Sequence, residues 1–335
     1  MKNKLRITVA IPTLNEDKNI GKALDCIVEN KINNATIEII IVDGGSTDNT
    51  IQVINQYLSL LQIRLFVVEK ATVYQSLNIA LNEARGEFFV RIDSRSEVPH
   101  NYISKCISNL KSFNAKCSGG IQVQYGVDMK SNSIAEVLSG FVATGGAKSR
   151  TAVKSGYVDS VYMGVYLTSD LRNFGGFEDR DRFVSEDALI NKLIRDKGGL
   201  IYQDITLKVG YPAKKNFRYL AKQYLIYGAA RASVLKRHKL LTAPRQILPL
   251  AFFFLLTTFF LLGFFNKLFL YFFFLLLSAY LLILLASNFI PKNQSSRSSF
   301  IYRVFACIVV HFSWPIGFFL NFISPSSFSK MINYF

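Results

Sequence analysis

Ile37-Glu-Ile-Ile-Ile-Val-Asp43-Gly-Gly-Ser-Thr-Asp-Asn-Thr50 reads as a strand that ends on a carboxylate, turns on two glycines and opens into a helix. Its apolar run, Ile37–Val42, is nearly continuous, the pattern of a strand buried on both faces. The same cycle extends outward on either side. Upstream, Ile7–Ile11 is a short β-branched run, and Asp17–Val28 places Ile20, Ala23, Leu24, Ile27 and Val28 at helical spacing. Downstream, a helical stretch near Thr50–Leu58 precedes the apolar run Ile63–Val68. Val73–Ala84 and Glu87–Ile92 repeat the cycle. Apolar strands alternating with helices predict an α/β fold with a mostly parallel central sheet covered on both faces. Ligands of such sheets bind beyond the carboxyl ends of the strands. Polar residues stand there: Thr13, Asn15 and Glu16 after the first strand, Asp43 after the second, Asp93 after the fourth.

From about residue 118 to 205 the alternation becomes irregular and is punctuated by Gly119-Gly120, Gly145-Gly146 and Gly175-Gly176, as expected of loops that shape a cleft. A helix is predicted over Glu186–Asp196, stopped by Lys197-Gly198-Gly199. No internal repeat is visible. After Lys236-Arg237-His238-Lys239 the character changes. Ile247–Phe265 and Leu268–Ile290 are apolar runs of transmembrane length separated by Asn266-Lys267. Phe300–Ile323 is a third, weaker run, interrupted by Arg303, His311 and Pro315. The expected organisation is therefore residues 1–240 as one α/β domain and residues 241–335 as a membrane region of two to three helices.

Charge agrees with that division. The formal net charge is +16, but residues 1–204 carry 24 of the 39 Lys and Arg against all 23 Asp and Glu. The basic excess flanks the apolar runs, which suits anionic lipid headgroups and disfavours nucleic acid as a partner. The cluster from Lys236 to Arg245 places the first domain on the cytoplasmic side of a plasma (inner) membrane crossed more than once. Cys26, Cys106, Cys117 and Cys307 show no paired spacing, consistent with a reducing compartment and no zinc site. The basic N-terminus leads directly into a strand and lacks the apolar core of a secretion signal.

Asp43 at a strand end can accept from a nucleotide base N–H or a ribose hydroxyl, while Gly44 and Gly45 let backbone approach a ligand. The same residues also suit an ordinary strand-to-helix turn. Taken with Ile11-Pro-Thr-Leu-Asn-Glu16 and the later acidic motifs, the chain resembles the family-two glycosyltransferases of the GT-A fold over roughly residues 5–240. The resemblance implies a GT-A, Rossmann-like domain in which Pro12, Thr13, Asn15, Glu16, Asp43 and Gly45 line the pocket of a nucleotide-sugar donor. Gly44 stands where many members carry a second Asp.

Ala84-Arg-Gly-Glu-Phe-Phe-Val-Arg-Ile-Asp93-Ser-Arg95 stands where the family has Asp-x-Asp, a holder of Mg²⁺ or Mn²⁺ against the donor diphosphate. Here Asp93 is the one carboxylate, and Arg95 occupies the second place, where it offers a positive charge to phosphate. Val184-Ser-Glu186-Asp187 matches the Glu-Asp pair that opens a helix in the family. By that match Asp187 is the base that deprotonates the acceptor hydroxyl and Glu186 orients it, although paired acids also suit any helix N-terminus. Gln223-Tyr-Leu-Ile-Tyr227-Gly228-Ala-Ala-Arg231 and His311-Phe-Ser-Trp314 are similar to exopolysaccharide glucosyltransferases of the succinoglycan type. Arg231 then contacts diphosphate or, equally, lipid headgroups.

The resemblance implies an inverting glycosyltransferase that uses a nucleotide sugar, expected to be UDP-linked, and a lipid-linked saccharide acceptor in exopolysaccharide or surface-glycan synthesis. A polyprenyl-phosphate sugar synthase is the alternative enzyme. A non-catalytic membrane scaffold or sugar-nucleotide sensor is the alternative of another class.

Overall fold

A computed structural model describes residues 4–30, 32–177, 186–239, 247–289 and 297–334. Val184 and Ser185 of the Glu-Asp motif, residues 240–246 of the basic cluster, and Ile290 at the end of the second apolar run lie outside the described residues. The packing separates into two compact units. One comprises residues 1–123, 148–182 and 186–212; the other comprises residues 124–147, 183–185 and 213–335.

The first half of the first unit follows the alternation read from the sequence: β1 (Leu5–Thr13), α1 (Ile20–Glu29), β2 (Ala35–Asp43), α2 (Thr50–Asn55), β3 (Ile63–Val67), α3 (Val73–Glu83) and β4 (Phe88–Arg91). β1 pairs parallel with both β2 and β4, and β2 with β3. The registers Thr13↔Asp43 and Ala10↔Arg91 bring the carboxyl ends of all three strands to one edge. Ile7, Val9, Ile11, Ile39, Ile41, Phe88 and Val90 form the core with Ile20, Leu24 and Ile27 of α1. Each of these side chains contributes about 1.5–3 kcal/mol by leaving water, and truncating Phe88 to Ala costs about 3–5 kcal/mol.

Next come α4 (Tyr102–Ser112) and β5 (Ala115–Tyr125). The second unit then takes α5 (Met129–Leu138) and α6 (Phe141–Thr144) before the chain returns through α7 (Lys148–Thr151), β6 (Gly156–Tyr157), β7 (Tyr162–Leu167), α8 (Thr168–Asn173), α9 (Glu186–Asp196) and β8 (Leu200–Pro212). The sheet order is β3-β2-β1-β4-β7-β5-β8-β6. β7 runs antiparallel to β4 and to β5, so direction changes where the sequence alternation lapses. α9 spans the predicted Glu186–Asp196, and Gly198 takes a φ of 78° just beyond it.

The second unit continues with α10 (Phe217–His238), α11 (Ile247–Leu262), α12 (Lys267–Phe289), α13 (Phe300–Ile323) and α14 (Pro325–Tyr334). By length and composition α12 and α13 are candidate membrane spans. The described α11, with 16 residues, is about 24 Å long, shorter than a hydrocarbon core. α11 and α12 form a hairpin held by Phe259 against Phe269 and Phe272. α10 lies on α13, although the sequence pattern groups α10 with the first domain. A Cβ on Gly228 would sit 1.9 Å from the Trp314 carbonyl oxygen, so only glycine permits this approach. α5 also packs on α13, through Arg303 and Glu136, and a cavity of ≈ 170 Å³ beside this pair is lined by Val142, Asn288 and Cys307 among others.

Candidate active site

The β2 end of the carboxyl edge is built locally. Asp43 is fully buried. Its Oδ1 accepts from Gly45 N (2.9 Å) and Ser46 N (2.7 Å), and its Oδ2 from Ser46 Oγ (2.5 Å). Gly45 holds a φ of 89°, a conformation that side chains disfavour. Asn15, itself at a φ of 53°, donates its N–H to Ser46 Oγ (2.8 Å) and accepts from Thr47 N (2.8 Å). Glu16 N donates to Thr50 Oγ1 (2.7 Å). The loop after β1 and the turn after β2 therefore form one hydrogen-bonded body. Pro12 and Thr13 are buried beneath it in β1. Thr13 Oγ1 is a buried hydroxyl without a partner among the described residues. Such orphaned groups are rare, and this one stands at the strand end where a ligand hydrogen bond would satisfy it.

The β4 end is built from residues far apart in sequence. Arg91, the last residue of β4, is buried. Its Nε donates to Asp93 Oδ1 (2.8 Å) and its Nη2 to Glu186 Oε1 (2.8 Å). Burial alone would depress the Arg91 pKa, but Asp93 and then Glu186 hold it well above the ordinary arginine value. Burial raises the Glu186 pKa against the opposing effect of Arg91, and Asp187 adds to the rise. Asp187 itself is exposed, and its Oδ1 accepts from Ala188 N (2.7 Å). Two neighbouring carboxylates thus differ: one is desolvated and clamped, the other is open to water.

Arg95 joins the two ends. Its Nε donates to Glu16 Oε1 (2.5 Å), while Glu16 Oε2 accepts from Asn19 Nδ2 (2.7 Å). Tyr211 of β8 lies beside Arg95; burial pushes its phenol upward while Arg95 opposes the shift. The hydroxyls of Ser96 and Tyr162 meet at 2.8 Å. The structure therefore brings Asn15, Glu16, Asp43, Asp93, Arg95 and Glu186 to one edge of the sheet of the first unit. Arg231 stands on α10 in the second unit. The sequence pattern assigns no role to Arg91, Tyr162 or Tyr211. An arginine closing an otherwise apolar strand, Phe88-Phe-Val-Arg91, is the available signal, since a buried guanidinium requires counter-charges.

Among the described residues no group of three or more His, Cys, Asp or Glu is arranged to hold a metal ion. One Asp93 oxygen is taken by Arg91, which leaves the other as a single carboxylate donor. That donor set fits Mg²⁺ or Mn²⁺ only when ligand phosphates and water complete the shell.

Residues 8–158 match the model of glycosyl transferase family 2. The chain is 25% identical over 239 residues, 69% of its length, to a dolichyl N-acetyl-α-D-glucosaminyl phosphate 3-β-D-2,3-diacetamido-2,3-dideoxy-β-D-glucuronosyltransferase of Methanococcus voltae, and covers 74% of that protein. It is 26% identical over 248 residues, 72% of its length, to succinoglycan biosynthesis protein ExoA of Rhizobium meliloti, again covering 74% of the relative. Among solved structures, a mannosyltransferase from Pyrobaculum calidifontis in complex with GDP-Man and Mn²⁺ superposes with a TM-score of 0.51 at 17% identity, over 70% of this chain and 65% of that one. This likeness supports the GT-A-like α/β fold. The chain carries a glycosyl transferase family 2 domain and is a glycosyltransferase.

Proposed function

We propose that the carboxyl edge of β1, β2 and β4 binds a nucleotide sugar, taken as UDP-linked, and that the sugar passes with inversion to a hydroxyl of a lipid-linked saccharide. The observation that carries this reading is Arg91, which holds Asp93 and Glu186, residues 93 positions apart in the chain, at one point. The orphaned Thr13 hydroxyl and the loop of Asn15 and Glu16 supply the nucleotide side. Asp43 acts there mainly by fixing the turn, since three donors already occupy its oxygens.

Asp187, exposed at the start of α9, takes the proton from the acceptor hydroxyl as it attacks. Glu186, clamped by Arg91, orients that end of the helix. Asp93 would hold the divalent cation with its remaining oxygen, and a bound cation would neutralise charge developing on the departing diphosphate. Arg95 adds fixed positive charge next to the same position. Both relatives cited above support a glycan or lipid-linked acceptor. The apolar C-terminal helices support association with the plasma membrane, which confines enzyme and acceptor to one surface.

The test is transfer of labelled sugar from a panel of nucleotide sugars into lipid extracts by the purified full-length protein and its Asp187→Asn variant. Labelled lipid formed by the wild type alone, which mild acid releases as a saccharide of more than one unit, is expected. Equal rates would remove Asp187 from its role, and label released as the free monosaccharide would indicate a polyprenyl-phosphate acceptor.

A further inference from the structure

α12 and α13 both have the length and composition of a membrane span, yet their surroundings differ. Only 6% of the apolar stretch of α12 is buried within the protein, against 44% of that of α13. α13 is covered chiefly by α10, which runs alongside it in the same direction. Phe217, at the start of α10, packs on Tyr302 and Phe305. Gly228, at its middle, meets the Trp314 backbone. Asn321 Nδ2 donates to Ala229 O (2.9 Å) and Ser233 Oγ (3.0 Å). Lys236 lies over the Phe322 ring. The two helices are therefore in contact from end to end.

α10 is not a lipid-compatible helix. It carries Arg218, Lys222, Gln223, Arg231, Lys236 and Arg237 and no acidic residue. If α13 crossed the bilayer, α10 would be carried in with it. Lys222 and Arg231 would then lie within about 10 Å of the midplane, where charges are costly and rare. A second contact points the same way. The Val142 carbonyl of the short helix α6 accepts from His311 Nε2 (2.9 Å), halfway along α13. Near the start of α13, Ser299 N donates to Ser133 Oγ (2.9 Å) and Arg303 pairs with Glu136 (3.5 Å), both on α5. Short helices and turns bearing charged side chains do not occur at the centre of a bilayer unless protein encloses them or they line water. Tyr280 of α12 and Phe252 and Phe253 of α11 also touch α13, at His311, Phe312 and Phe319. The surface left is an apolar stripe: Ile301, Phe305, Ile316, Leu320 and Ile323 are exposed.

We propose that α13 does not cross the membrane. It lies with α10 along one face, its apolar stripe in the acyl boundary and the basic residues of α10 toward anionic headgroups. The α11–α12 hairpin is the inserted element. An apolar stripe on one helix and a basic, acid-free partner beside it are the paired features of an interfacial device.

Depth quenching of fluorophores on single cysteines tests this in the full chain. The labels go at Ile301→Cys, Phe305→Cys, Ile316→Cys and Leu320→Cys, one at a time, in a Cys26→Ser background that retains the three buried native cysteines. The protein is reconstituted in phosphatidylcholine vesicles containing phosphatidylglycerol. The expected result is four labels at nearly equal, shallow depth, within about 5 Å of one another. A spanning α13 would spread them over about 9 Å and place Ile316→Cys deepest. Labelling of Ser299→Cys and Ser326→Cys with a membrane-impermeant thiol reagent checks the result without altering the apolar stripe. Reaction of both from the same side of oriented vesicles supports the proposal, and reaction from opposite sides overturns it.

Discussion

The two ends of the carboxyl edge are made by opposite means. Around Asp43 the turn closes on its own residues, Gly45 and Ser46 to Asp43, and is tied by Asn15 and Glu16 to the loop of the adjoining strand. The Asp43 charge meets its donors within its own turn. Around Arg91 a desolvated cation draws together carboxylates from a strand end and a distant helix, and each partner depends on the others. The first arrangement is a rigid cradle, suited to binding. The second sets the position and ionisation of acids, which suits chemistry. If that contrast is right, damage at the two ends will differ in kind.

The largest effect falls on the chemical step. Asp187→Asn is expected to lower kcat by about 10²–10⁴-fold while leaving the unfolding midpoint and nucleotide affinity unchanged, because this side chain is exposed and, among the described residues, bonds only its own turn. Steady-state transfer kinetics alongside thermal denaturation check both halves of that statement. Arg91→Met leaves two partly buried acids without their cation and is expected to cost up to about 3–5 kcal/mol of stability, read by denaturant unfolding, together with most of the activity. A smaller effect belongs to the other end. Asp43→Asn weakens three hydrogen bonds to a charged acceptor, worth about 1–3 kcal/mol in all. It is expected to raise the KM for the nucleotide sugar more than it lowers kcat. A purely catalytic loss there would break the contrast.

The smallest effect is in pH dependence. Burial lifts the Glu186 pKa above its ordinary 4.5, so the folded chain retains this proton where the unfolded chain has lost it. The stabilisation is complete below pH 4.5 and fades as pH rises through the folded value. Unfolding midpoints measured upward from pH 4.5 are expected to fall for this reason, and Glu186→Gln is expected to remove that part of the slope.

The contrast also explains what can be read from the chain. The strand of residues 37–42, the turn at Asp43 and the helix at Glu186 are encoded by neighbouring residues, and the expected elements match those observed. The resemblance places Asp93 and Glu186 in one site, but that Arg91 joins them is not legible, since a tertiary contact between residues 91 and 186 leaves no local pattern. The third apolar run illustrates the same limit. Arg303 and His311 look like blemishes in a span, whereas Glu136 and the Val142 carbonyl are their reasons for being there. Gly228 and Gly317 mark the contact of α10 with α13, but isolated glycines in helical sequence do not name their partner.

A double-mutant cycle on transfer rate, using Arg91→Met, Glu186→Gln and the pair, addresses the central claim most directly. Residues acting as one unit give a double variant no slower than the slower single variant, and that is the expected outcome. If the two losses instead multiply, Arg91 and Glu186 act separately, and the site joined through Arg91 does not exist.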